Sequence, residues 1–251
     1  MTNFVGGSYY FDDVILFQSK EIPLRIYYEY RPGARYSIGK KYFIFRIPIQ
    51  LAESKKVELI TYGKNWAKKV LSKDPTLTKN FQPRIYVHGE VIKCFDREWT
   101  VKMILAKKYF VRVRPAENLL ELGGPEKETE SSDEDLSRAV QKLFSSWYRN
   151  TIKKRTLVIA QKHQFPMPQI VSLKYMSTRW GSCRKSRGTI SLNTKLLLAP
   201  QEVLDSVIVH ELSHLIHPNH SLSFWKLVKQ CDPDFKKHNN WLKTHGNQLV
   251  L

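Results

Sequence analysis

The sequence has few cysteines and no long apolar run. Its three cysteines, Cys94, Cys183 and Cys231, lie far apart and form no C-x-x-C pair, so neither a disulfide framework nor a cysteine-based structural zinc site is expected. No segment approaches the roughly 18 apolar residues that span a bilayer, and the first residues lack the basic and apolar regions of a signal peptide. We therefore expect a cytoplasmic protein without a membrane partner.

Acidic residues are also scarce, because 23 Asp and Glu stand against 41 Lys and Arg, which gives a net charge of +18. Such an excess attracts anionic partners at long range and makes nucleotides and nucleic acids candidate partners. An ordinary solvated, lysine-rich surface is the alternative.

The acidic residues concentrate in one run at 125–135, which follows Gly123 and Gly124 and contains no apolar residue. Such a composition is typical of an exposed linker or loop. It predicts three parts: a β-rich region with one helix at residues 1–125, the linker or loop at 126–136, and a C-terminal domain at 137–251.

Hydrophobic patterning predicts an α+β fold, in which the β-rich N-terminal region precedes a mainly helical domain with a small sheet. In the N-terminal region the pattern favours a hairpin of strands 22–30 and 42–49, a helix at 53–71, and short strands at 85–91, 98–105 and 109–113. The C-terminal domain is predicted to hold one long helix at 133–163, strands at 170–175 and 189–193, and a polar loop at 176–188 between these strands.

A helix that opens at Pro200 carries the motif H-E-x-x-H, formed by His210, Glu211 and His214. Residues four apart lie on one helix face, so the two imidazoles face one point, as zinc requires of its ligands. Glu211 lies beside them, where it can take a proton from a metal-activated water. The motif indicates a zinc-dependent hydrolase. The alternative is that His210 and His214 are ordinary surface or core histidines of the helix that bind no metal.

A third ligand must come from outside the helix. Pro218 and Asn219 break the helix after His217, so His220 can turn back toward the metal. His217 is the competitor, yet on a straight helix it stands about 10 Å along the axis from His210. We favour His220.

Other side chains near the motif have two interpretations each. Arg179 could stabilise an oxyanion, and Arg184, Lys185 and Arg187 could bind phosphates, whereas the alternative is an exposed basic loop. The strand at 189–193 could offer an open edge to an extended peptide or be an internal strand. Phe224 and Trp225 are expected to pack the next helix against the motif helix.

Four runs carry a resemblance: STRWGSC at 177–183, GTISLN at 188–193, VHELSH at 209–214 and NHSLSFW at 219–225. They resemble the YgjP-like metallopeptidase family, which is similar to the SprT and WLM zincins. The resemblance implies a zincin-like catalytic domain with zinc at His210, His214 and His220, and with Glu211 as the catalyst.

The substrate stays open at this stage. Members of the family are mostly labelled peptidases, while at least one looks to be a nucleoside triphosphate pyrophosphatase. A metallopeptidase acting on a peptide or protein is the first hypothesis, and a metal-dependent pyrophosphatase is the second. A nucleic-acid-binding protein with a structural zinc is the third, and the oligomeric state is not predicted.

Overall fold

The computed structural model describes residues 3–5, 8–39, 42–75, 77–78, 84–124, 131–176 and 178–251. The chain divides into two compact units, Met1–Pro83 and Arg84–Leu251. Residues 84–124 thus belong to the second unit, although the sequence assigned them to the N-terminal region. Of the acidic run, residues 125–130 lie outside the described part of the chain, and the division at 126–136 stays a prediction.

The first unit is a five-stranded sheet with one helix. Its strands stand in the order β1-β2-β3-β5-β4, and every second residue of β3 is buried, as expected of a sheet covered on one face. The helix contributes Ala67 and Leu71 to the same core. The elements are β1 Asn3–Val5, β2 Ser8–Phe17, β3 Lys20–Glu29, β4 Arg35–Ile38, β5 Phe43–Pro48 and α1 Glu53–Lys73.

The predicted hairpin of 22–30 and 42–49 is wrong. β3 and β5 lie side by side but run parallel, because the connection between them contains the additional strand β4. β4 pairs antiparallel with β5, and β3 pairs antiparallel with β2. Both segments are strands as predicted; their partners differ.

The second unit begins with a four-stranded sheet in the order β6-β7-β9-β8. The strand predicted at 85–91 is wrong except at its last residue, because the strand there is Val91–Cys94, and the strand Leu119–Gly124 was not predicted. In its described residues, the rest of the second unit holds five helices and a small three-stranded sheet, which pack around one core. The elements are β6 Val91–Cys94, β7 Arg97–Leu105, β8 Phe110–Arg114, β9 Leu119–Gly124, α2 Ser131–Trp147, α3 Arg149–Lys162, β10 Ile170–Lys174, β11 Gly181–Arg184, β12 Thr189–Asn193, α4 Gln201–Ile216, α5 Leu222–Cys231 and α6 Phe235–His245.

The predicted long helix at 133–163 is two helices, α2 and α3, which meet at Tyr148. No proline or glycine marks this break. Tyr148 is buried, and its hydroxyl accepts a hydrogen bond from Trp99 Nε1 (2.8 Å) and donates one to the Cys94 carbonyl (3.0 Å). These bonds tie the helix junction to the four-stranded sheet.

The small sheet has the order β10-β12-β11, so the strand at 189–193 is internal and does not present an open edge. β11, which falls in the predicted polar loop 176–188, is one of the two edge strands, with β10 at the other edge, and pairs antiparallel with β12. Helix α4 packs against β11 and is largely buried. The α+β fold class predicted from the sequence is confirmed.

None of the helices in the described part of the chain combines the length and the apolar character that crossing a membrane requires.

The Tyr148 hydroxyl should be important for stability. Tyr148→Phe would leave the Trp99 N–H and the Cys94 carbonyl without this partner in the core, and we expect the free energy of unfolding to fall by about 1–3 kcal/mol. Tyr109→Phe, which alters a half-exposed tyrosine of the same unit, is the matched control. Denaturant unfolding measures both, and equal stabilities of the two variants would contradict the role given to Tyr148.

Candidate metal centre

Helix α4 presents two histidines of the motif side by side. The ring centroids of His210 and His214 lie 5.0 Å apart, and both side chains are partly buried. The Nδ1 of His214 lies 3.1 Å from the carbonyl oxygen of His217. Because a carbonyl only accepts, Nδ1 carries the proton and Nε2 keeps a free lone pair, as in histidines that bind metals.

The turn after α4 brings in the third histidine. The helix ends at Ile216, and the chain returns through Pro218 so that His220 Nε2 lies 3.1 Å from His210 Nε2. Ring nitrogens of His210, His214 and His220 all lie within 4.8 Å of one another. The structure thus places His220 with the motif histidines, whereas His217 contributes its backbone carbonyl.

This arrangement fits a zinc ion. Tetrahedral zinc with nitrogens at about 2.0–2.1 Å holds its ligand atoms about 3.4 Å apart, close to the separation of the His210 and His220 nitrogens. Among the described residues, this group contains three potential ligands and no cysteine or carboxylate. Three histidines without a fourth protein ligand are typical of a catalytic site with an open position.

Phe224 of α5 supports all three imidazoles. Its buried ring has centroid distances of 5.0 Å to His210, 4.5 Å to His214 and 4.8 Å to His220. The sequence analysis expected Phe224 only to pack one helix on another. Its spacing four residues after His220 is the signal that could have suggested contact with the third histidine.

Burial and mutual proximity favour the neutral forms of His210 and His214. Burial, with a contribution from the neighbouring His214 and His220, lowers the pKa of His210 to about 4. Burial also lowers the pKa of His214. Neutral imidazoles are the form that binds metal ions, so the group suits that role near neutral pH.

Glu211 lies buried beside the histidines, and burial raises its pKa to about 7, while the charge of Arg179 acts in the opposite direction. Its carboxylate is packed against the α-carbon of Gly181 on β11. A Cβ at that position would lie 2.5 Å from Glu211 Oε1, closer than atoms approach without displacement. Gly181 therefore makes the room that the carboxylate occupies.

A polar cleft of about 450 Å³ opens over these groups. All four cations of the 176–188 segment are exposed; Arg179 and Lys185 line the cleft, whereas Arg184 and Arg187 do not. Buried Asn193 donates from Nδ2 to the Arg179 carbonyl (2.7 Å) and so fixes the backbone that carries this arginine. Ser177, the first residue of the STRWGSC run, lies outside the described residues.

Cys183 also lines the cleft, but burial and the charge of Glu211 raise the pKa of its thiol to about 11. A protonated thiol is a poor nucleophile, so the position in the cleft does not by itself make Cys183 reactive.

Comparison with known proteins gives a family and two structural relatives. A family model described as the YgjP-like metallopeptidase domain matches residues 35–245. The crystal structure of the metallopeptidase zymogen abylysin of Pyrococcus abyssi is 22% identical over 37% of this chain and 92% of that chain, with a TM-score of 0.34. For the metallopeptidase zymogen jannalysin of Methanocaldococcus jannaschii, the identity is 21% over 37% of this chain and 96% of that chain, with a TM-score of 0.33.

With TM-scores this low, neither structure bears on the geometry of the site. No curated protein matches the chain. The family match covers most of the sequence, including the three histidines, Glu211 and β11. The chain therefore belongs to the YgjP-like family of metallopeptidase domains.

Proposed function

We propose that this chain is a zinc-dependent peptidase, with His210, His214 and His220 as the ligands of zinc and Glu211 as the general base. The observation that carries the proposal is the convergence of three histidines on one point beside a buried carboxylate. When bound there, zinc would supply Lewis acidity toward water and toward the scissile carbonyl.

Glu211 has the properties of a proton carrier between two steps. With its pKa near 7, the carboxylate can accept a proton from the attacking water and then return it to the amine that leaves the broken peptide bond. Gly181 and the burial of the side chain restrict where the carboxylate lies. Glu211 can therefore act on one defined position in the cleft.

Arg179 is the candidate for stabilising the oxyanion. It lines the cleft and its charge is felt by Glu211, so it lies within electrostatic reach of the reaction centre. A guanidinium that is already positioned can stabilise negative charge as it develops on the carbonyl oxygen. The Asn193 bond to its backbone supports this placement.

The edge strand β11 suits a peptide substrate. In the three-stranded sheet it pairs with β12 on one side only, and Gly181, Ser182 and Cys183 line the cleft. An extended peptide can add to such an edge through main-chain hydrogen bonds, which bind many sequences. A peptide on β11 would pass directly over Glu211 and the histidines.

The other candidate functions receive less support. The family description names a peptidase, and no observation on the described residues favours a nucleotide or nucleic acid. A structural zinc usually has four protein ligands, often with cysteine among them, whereas three histidines form the group found in the described part of the chain.

Glu211→Gln should abolish peptide cleavage while the protein keeps its zinc, because the amide cannot accept the proton but is not a ligand. His210→Ala, in contrast, should lose the zinc itself. Metal analysis of purified protein and cleavage of an unfolded protein substrate measure both effects. Loss of zinc in Glu211→Gln would mean that Glu211 is a ligand and not the base.

Gly181→Ala should lower kcat by about 100-fold with the zinc content unchanged, since the new methyl group displaces the Glu211 carboxylate and small misplacements of catalytic groups are costly. Gly33→Ala is the matched control, because a Cβ at Gly33 meets no atom within 4 Å. Steady-state kinetics on one peptide compares the two variants. Unchanged kcat in Gly181→Ala would contradict the packing role assigned to this glycine.

A further inference from the structure

A second cavity, of about 250 Å³, lies next to the polar cleft. The two cavities share Gly181, His210 and Glu211 as lining residues, so they meet at the reaction centre. A group bound in the second cavity would therefore be only a short distance from the scissile bond of a peptide in the cleft.

The two cavities differ in chemistry. Arg179 and Lys185 line the polar cleft, whereas the walls of the second cavity carry no cation. Its polar side chains, apart from His210 and Glu211, are Ser206 and Asn239. Six apolar side chains from four segments complete the walls: Trp180, Val207, Trp225, Val228, Phe235 and Leu242.

The walls of this apolar cavity are held in place by packing. The indole of Trp225 stacks on Phe235 and on His220, each with centroids 5.5 Å apart, and it also contacts the ring of Phe224 at 5.1 Å. Trp180 lies against the α-carbon of Gly246, where a Cβ would be 2.4 Å from Trp180 Cζ2. Because the aromatic walls are already fixed, a ligand that binds in the cavity loses no free energy in ordering them.

We propose that the apolar cavity is the subsite for one apolar side chain of the substrate, of the size of leucine, methionine or phenylalanine, directly beside the scissile bond. The proposal rests on the proposed peptidase function. A lysine or glutamate side chain would lose its hydration there. Glu211 is the one carboxylate among the described lining residues, and no Lys or Arg is among them. Alanine or glycine would leave the cavity unfilled and gain little from burial.

Cleavage of a mixture of random-sequence peptides by the zinc-loaded protein, with the cut sites mapped by mass spectrometry, tests the proposal. We expect one position next to the cut to be enriched in leucine, methionine and phenylalanine. For single peptides, leucine should exceed alanine at that position by at least tenfold in kcat/KM. Equal cleavage regardless of the residue at every position would overturn the subsite.

A pair of neighbouring variants connects this preference to the cavity. Asn239 is exposed and lines the cavity, while Asn240 is exposed and does not. Asn239→Asp should raise kcat/KM for a lysine peptide relative to the leucine peptide by about tenfold, because a carboxylate at the cavity can pair with lysine. Asn240→Asp makes the same charge change and should leave the ratio as it is in the unaltered protein. An equal ratio in both variants would mean that the apolar cavity does not determine the preference.

A binding measurement separates failure of the subsite from failure of the peptidase function. Trp180 and Trp225 report on the cavity through their fluorescence, so leucine and alanine peptides can be titrated into the inactive Glu211→Gln variant. If the leucine peptide binds at least tenfold more tightly than the alanine peptide, the subsite is supported, even if the unaltered protein cleaves no peptide. Absence of cleavage would contradict only the peptidase function. Equal binding of the two peptides would overturn the subsite.

Discussion

Imidazole rings that share one small volume repel one another when they are charged. In this chain the ring nitrogens of His210, His214 and His220 lie within 4.8 Å of one another, and burial together with the two neighbouring imidazoles favours the neutral form of His210. Phe224 contacts all three rings. Folding thus brings together the ring nitrogens that a metal ion would bind, so the site is assembled before the ion arrives.

The surrounding fold serves to hold α4 in place. The apolar residues of α4 lie in the core of the second unit. Three segments next to α4 each place one residue at the site. β11 supplies Gly181 against Glu211, the turn after Ile216 supplies His220, and α5 supplies Phe224. The same helix lines both the polar cleft, with its two cations, and the apolar cavity. The proposed catalytic groups and substrate contacts thus depend on one buried helix.

Local signals predicted much of this arrangement, because H-E-x-x-H spacing and a proline-broken helix end act over a few residues. The α+β fold, the helices α1 and α4, and the family could all be inferred from the sequence. Long-range strand pairing could not be inferred. The pattern predicts a hairpin of β3 and β5 although β4 lies between them, and it predicts a polar loop where β11 is a strand. The break at Tyr148 depends on bonds to Trp99 and Cys94, far away in sequence.

X-ray absorption at the zinc edge of the zinc-loaded protein tests the central claim most directly. The account predicts three imidazole nitrogens at about 2.0–2.1 Å from the metal and no sulfur neighbour. A sulfur at about 2.3 Å, which Cys183 could supply, or a fourth imidazole, would indicate a closed structural site and contradict the account.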